Sequence, residues 1–188
     1  MNIRNKFLEY SMPITKALGK VGVKRKITDI DYIEIKDNAF ASCVFLSRKR
    51  YELSNCFIPG FYTHAAICDG NYIYEAVGDG VRKVTLPYFC FDKDYIAMLQ
   101  VKNTYITEIS NVLNDLDSLL GKPYDYYFTP GNESFYCSEL VAYVLKKNIK
   151  SMKEFTWRET LGVATVEPMD FYKASKYFDV IWENKHAS

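Results

Sequence analysis

Tyr62-Thr63-His64-Ala65-Ala66-Ile67-Cys68-Asp69-Gly70-Asn71-Tyr72-Ile73-Tyr74-Glu75-Ala76-Val77 reads as two apolar segments joined by a short Asp-Gly-Asn turn. Such a pattern is a strong β-hairpin signal, because the turn residues accept the backbone angles that a tight reversal needs. Strands are expected at Thr63–Cys68 and Tyr72–Val77. The first strand carries a histidine, His64, near its start, and the second a carboxylate, Glu75, near its end. A short turn at Asp69-Gly70-Asn71 brings those two to near-opposite positions.

Outward from the hairpin, Gly78-Asp79-Gly80 and Val81–Leu86 extend a meander, and Ala39–Ser47 and Tyr95–Val101 supply further strands. Arg48-Lys49-Arg50 marks a solvated turn or a basic patch beside a groove, and Phe57-Ile58-Pro59-Gly60 a loop. Tyr105, Ile106, Ile109, Val112, Leu113, Leu116, Leu119 and Leu120 recur at helical spacing, with Gly121 as the stop. A second helix begins near Cys137, its core face marked by Leu140, Val141, Val144 and Leu145. Val163–Val166 forms a short strand, Pro168 opens a helix running to about Lys176, and Phe178–Trp182 is a last strand. Strands in the middle flanked by helices define an α+β class.

A chain of 188 residues is one domain by length, residues 1–188, divided into an N-terminal helical basic segment, 1–38, and a core, 39–183. The hydrophobic share of 48% and charged share of 25% are those of a globular protein, and a net charge of +1 argues against nucleic acid as a partner. Sixteen tyrosines suit clefts and contact surfaces as well as half-buried strands. Residues 1–26 hold seven basic side chains against Glu9 alone, interleaved with Ile3, Phe7, Leu8, Ile14, Leu18 and Val21. That segment either packs on the domain or makes a weak contact with an anionic membrane surface. Five cysteines, Cys43, Cys56, Cys68, Cys90 and Cys137, are an odd number without CxxC spacing, which disfavours both a disulfide framework and a zinc site. No segment resembles a signal peptide or a membrane span, so a cytoplasmic protein is expected, with neither metal nor other cofactor.

Ser134-Phe135-Tyr136-Cys137-Ser138-Glu139-Leu140-Val141 puts a thiol in the first turn of a helix. There the dipole and unpaired N–H groups favour a thiolate and can face an oxyanion. Cys137 also shares a face with core residues, so a small buried thiol is the competing reading. The chain has only two histidines, and His186 lies two residues from its end, so a cysteine–histidine pair would have to use His64; the alternative is a hydrogen-bonded core histidine. Glu75 either orients His64 from within or faces solvent. Tyr124, in Gly121-Lys122-Pro123-Tyr124-Asp125, either lends its hydroxyl to an oxyanion or packs under its loop.

Taken together, Tyr62–Ile67, Glu75-Ala76, Gly80-Val81, Gly121–Asp125 and Tyr136–Val141 resemble the permuted NlpC/P60 superfamily. Its YiiX/YebB-like papain-fold cysteine hydrolases, similar also to poxvirus proteins of the G6 type, are the branch resembled. In that branch the histidine strand precedes the cysteine helix, as here. The resemblance covers roughly residues 40–170 and implies a permuted papain-like fold: a central antiparallel sheet or partial barrel against a helix carrying the nucleophile. It implies Cys137 as nucleophile, His64 as base, Glu75 as third member and Tyr124 at the oxyanion, with Ser138, Tyr62 and Tyr136 beside the substrate. Where relatives carry Gly-Asp-Ile or Gly-Asp-Val before the histidine strand, this chain has Ala41-Ser42-Cys43-Val44. The implied activity is cysteine-dependent hydrolysis of an amide bond in a small peptide, a muropeptide or an N-acyl or lipid amide. The alternatives are a thiol acyltransferase and a non-catalytic binding or structural member of the fold.

Overall fold

The computed structural model describes residues 27–56, 58–91, 93–102, 105, 114–128, 131–150, 152, 158–160 and 163–184. The expectations for residues 1–26 and for His186 lie outside them, as does most of the helix expected from Tyr105. The described end of that helix tightens into a 3-10 turn at Asp117–Leu119 and stops at Gly121, whose φ is +79°.

Eight strands are described: β1 (Val44–Arg48), β2 (His64–Cys68), β3 (Tyr72–Val77), β4 (Gly80–Thr85), β5 (Tyr95–Val101), β6 (Arg158–Thr160), β7 (Val163–Thr165) and β8 (Phe178–Glu183). The helices are α1 (Asp29–Asn38), α2 (Leu86–Phe91), α3 (Cys137–Asn148) and α4 (Pro168–Lys173). Six strands form one antiparallel sheet in the order β4-β3-β2-β1-β5-β8, and β6 pairs β7 separately. The α+β class and the sheet against a cysteine-bearing helix are as expected.

Both faces of the sheet are covered, which is why the central strands read as unbroken apolar runs. On one face Val44, Leu46, Ala65, Ile67, Tyr74 and Ala76 pack with Leu140, Val141 and Val144 of α3. On the other, Phe45, Ala66, Ile73, Ile96 and Met98 pack with Ile35 of α1 and with Phe89 and Cys90 of α2. α1 begins at a capping box, Thr28 Oγ1 accepting from Asp31 N at 3.2 Å and Asp31 Oδ2 from Thr28 N at 2.8 Å. Among the described residues no helix is long and apolar enough to cross a membrane.

Three local expectations are corrected. The strand expected from Ala39 starts only at Val44, because Ser42 adopts a φ of 71° and turns the chain. The strand expected to Leu86 ends at Thr85, where α2 begins. Arg48-Lys49-Arg50 is no simple solvated turn: Arg48 donates to the Phe61 carbonyl at 2.6 Å, and Arg50 pairs with Asp94 at 3.1 Å.

Candidate active site

The hairpin places His64 and Glu75 on one face of the sheet. Register pairs Ile67 with Tyr74 and Cys68 with Ile73, so Glu75 falls opposite Ala66, diagonal to His64. Diagonal neighbours are within reach of long side chains. The His64 ring meets Glu75 through Nε2 and Oε2 at 2.8 Å. Glu75 is 1% exposed, yet its second oxygen is also satisfied, accepting from Arg82 Nε at 2.8 Å and Nη2 at 2.6 Å. Arg82 is the direct cross-strand partner of Glu75 on β4.

Cys137 is the first residue of α3, which packs across β2 and β3. The first turn is anchored on both sides: Glu139 accepts from Tyr136 N at 3.3 Å, and Ser138 Oγ donates to the Val166 carbonyl at 2.7 Å. Tyr136 accepts from Val166 N at 2.9 Å and packs on Phe128 in a tilted contact, ring centroids 4.8 Å apart. These contacts set the Cys137 thiol beside the His64 ring, near enough to raise the ring's pKa. With Nε2 committed to Glu75, Nδ1 is the nitrogen left to face the sulfur.

The electrostatics follow from this chain of contacts. Burial alone would lower the His64 pKa, but its hydrogen bonds to Cys137 and Glu75, and their charge, outweigh burial and raise it to about 9. Burial pushes Glu75 upward, yet the His64 hydrogen bond and the positive charges of His64, Lys93 and Arg82 hold it far below the usual carboxylate range. Burial pushes the Cys43, Cys68 and Cys90 thiols up to about 12, 11 and 12.

Tyr124 is held by backbone on two sides. Val81 N donates to the Lys122 carbonyl at 2.8 Å and Gly121 N to the Val81 carbonyl at 2.9 Å, which pins its loop to β4. On the other side Phe135 N donates to the Pro123 carbonyl at 3.0 Å and Asp125 N to the Phe135 carbonyl at 3.1 Å, joining the loop to the segment that leads into Cys137. Its phenol pKa is raised by burial and then by negative charge on Cys137, so the two groups are electrostatic neighbours.

The structure therefore gathers Cys137, His64, Glu75 and Tyr124. The other three expected residues have committed hydroxyls. Tyr62 is 1% exposed and donates to Glu183, and Ser138 and Tyr136 both bind the Val166 peptide. They brace the elements that carry His64 and Cys137. Sequence reading missed Arg82, and it missed Phe89, whose ring lies 6.3 Å from that of His64 at an interplanar angle of 30°. Arg82 had a signal: a tight turn at Gly78-Asp79 pairs Val77 with Gly80 and so Glu75 with Arg82. Phe89 had none, because nothing local says which face a six-residue helix presents.

A thiol, an imidazole and a buried carboxylate in series, at the mouth of a helix packed on an antiparallel sheet, is the arrangement of the papain-like class. The model of the Peptidase C92 family, described as permuted papain-like amidase enzyme of the YaeF/YiiX kind, matches residues 42–182, and the chain belongs to that family of hydrolases. The fold is similar to the crystal structure of the metalloprotein yiiX from Escherichia coli O157:H7, with a TM-score of 0.62 and 17% identity over 77% of this chain and 97% of that one. No curated protein matches the sequence.

Proposed function

We propose that the protein hydrolyses an amide bond through a thioester on Cys137, with His64 as base and acid and Glu75 as the group that orients it. The observation that carries the reading is the His64 ring held on buried Glu75 at 2.8 Å with the Cys137 thiol as the ring's other electrostatic neighbour. His64 Nδ1 takes the thiol proton, and the raised His64 pKa favours the resulting imidazolium–thiolate pair. The sulfur attacks the carbonyl carbon, and the carbonyl electron pair moves to oxygen. The unpaired N–H at the start of α3 and the Tyr124 hydroxyl stabilise that oxyanion. As the tetrahedral centre collapses, the C–N bond breaks and His64 protonates the leaving amine. Water then gives a proton back to His64 and adds to the thioester, releasing the acid and restoring the thiol.

The substrate class that fits is a small peptide, a muropeptide or an N-acyl amide, acted on in a reducing compartment suited to a catalytic thiol. The description metalloprotein belongs to yiiX; among the described residues of this chain no group of three or more His, Cys, Asp and Glu side chains is arranged to hold a metal ion.

The test is limited alkylation with iodoacetamide near neutral pH, read by intact mass and peptide mapping. The high values of Cys43, Cys68 and Cys90 keep them silent, leaving exposed Cys56 as the internal reference. Cys137 is expected to react first and to lose that advantage in His64→Ala. Reaction of Cys137 no faster than Cys56 overturns the proposal.

A further inference from the structure

We infer that Arg82 is a positioning residue of this site: its guanidinium clamps one oxygen of Glu75 so that the other holds the His64 ring with Nε2–H toward Glu75 and Nδ1 free for Cys137. The inference rests on the amidase reading above and deepens it.

Glu75 is buried, and a buried carboxylate keeps its charge only when its lone pairs are met. His64 meets Oε2 alone, whereas Arg82 meets Oε1 twice, through Nε at 2.8 Å and Nη2 at 2.6 Å. Two donors in a rigid plane hold Oε1 in place, and with His64 on Oε2 they fix the carboxylate's rotation as well as its charge; a single lysine ammonium lacks that planar fork. Arg82 is itself held, lying over the Tyr88 ring at 5.5 Å and directly opposite Glu75 in the β3–β4 register. The charged and titratable neighbours are Glu75, Asp79 and Tyr88 around Arg82, His64, Lys93 and Arg82 around Glu75, and Cys137 and Glu75 around His64.

The consequence is a choice between two proton arrangements. With Glu75 ionised, the imidazole proton sits on Nε2 and Nδ1 can accept the thiol proton. Without the guanidinium, Oε1 loses both of its donors and the carboxylate is free to turn, so Oε2 no longer fixes the imidazole proton on Nε2. A neutral ring with its proton on Nδ1 presents a donor to the sulfur and cannot act as base there. Arg82 thus acts on Cys137 through two intermediaries, Glu75 and His64.

The experiment compares Arg82→Met, Arg82→Lys and Lys93→Met by the pH profile of Cys137 alkylation and by imidazole nitrogen-15 shifts. Assignment is simple in a His186→Ala background, because His64 is then the sole histidine. Arg82→Met is expected to slow alkylation at pH 7 about tenfold, to move the acid limb up by about one pH unit, and to transfer the ring proton to Nδ1. Arg82→Lys recovers part of the rate, and Lys93→Met costs less than Arg82→Met. A folded Arg82→Met with the parent profile and an Nε2–H ring overturns the inference. So does an equal loss in Lys93→Met, which would reduce the role to charge alone. Where Arg82→Met fails to fold, Arg82→Gln, which keeps a donor and drops the charge, carries the same comparison. Unselective alkylation of Cys137 in the parent protein refutes the amidase reading instead, and the ring tautomer still decides the role of Arg82.

Discussion

Replacing Gly80 with alanine tests whether the β3–β4 turn holds Tyr124 in place. Gly80 has a φ of +104°, and a Cβ added there would sit 2.5 Å from the Lys122 carbonyl oxygen and 3.6 Å from Pro123 Cα. Ordinary contact begins at about 3.4 Å, so the 122–124 loop has to retreat by roughly 0.9 Å. Two costs therefore add: a left-handed backbone angle for a residue with a Cβ, about 1–2 kcal/mol, and overpacking with loss of the Val81–Lys122 hydrogen bond, about 1–3 kcal/mol. Gly70 separates them. Its φ is +101°, but its added Cβ would meet Ala41 N no closer than 3.5 Å, an ordinary contact. Urea unfolding of Gly70→Ala is expected to show the angle cost alone, and Gly80→Ala to show both. Only Gly80→Ala displaces Tyr124, so only it is expected to lower amidase turnover, by ten- to a hundredfold on the order of a lost oxyanion donor. Equal unfolding free energies for the two variants, or full activity in Gly80→Ala, would refute the account of this turn.

Three further outcomes are expected. Tyr124→Phe keeps the ring and removes the hydroxyl, so kcat should fall about tenfold or more with little change in melting temperature, as steady-state kinetics will show. Glu139 is pushed up to about 8, first by burial and then by Asp125, so folding favours its protonated form. That contribution is fully present below the ordinary glutamate value and is lost as pH rises through about 8. Glu139→Gln should therefore leave stability near pH 4.5 unchanged and raise it by a few kcal/mol near pH 9, read from urea unfolding at both. Glu75 has the opposite sign: its depressed value stabilises the fold above the ordinary glutamate range and loses that effect as pH falls. Glu75→Gln should flatten the acid side of the stability profile and slow Cys137 alkylation at pH 7, and an unchanged rate would count against Glu75 as the orienting group.

Much of the site was legible because its parts are local signals. The 69–71 turn dictated that His64 and Glu75 share a face, since alternation along two paired strands leaves no other outcome once register is given. The start of α3 at Cys137 followed from the periodicity of Leu140, Val141, Val144 and Leu145. Arg82 was equally accessible through the tight turn before β4. The hydroxyls were not. Tyr62, Tyr136 and Ser138 flank the motif residues in the chain, but their partners, Glu183 and Val166, lie far away in it.

From residue order alone come the hairpins, the thiol at a helix mouth and the family, because turn chemistry and periodicities of two and 3.6 act over a few neighbours. Strand order belongs to the packed molecule: β1 lies between β2 and β5, and β8 closes the edge, because apolar burial on both faces selects among pairings that local propensity leaves equal. The meeting of Cys137 with His64 is of the same kind. It exists because α3 packs across β2 and β3 and is braced at Val166, a balance of long-range contacts that no stretch of a few residues encodes.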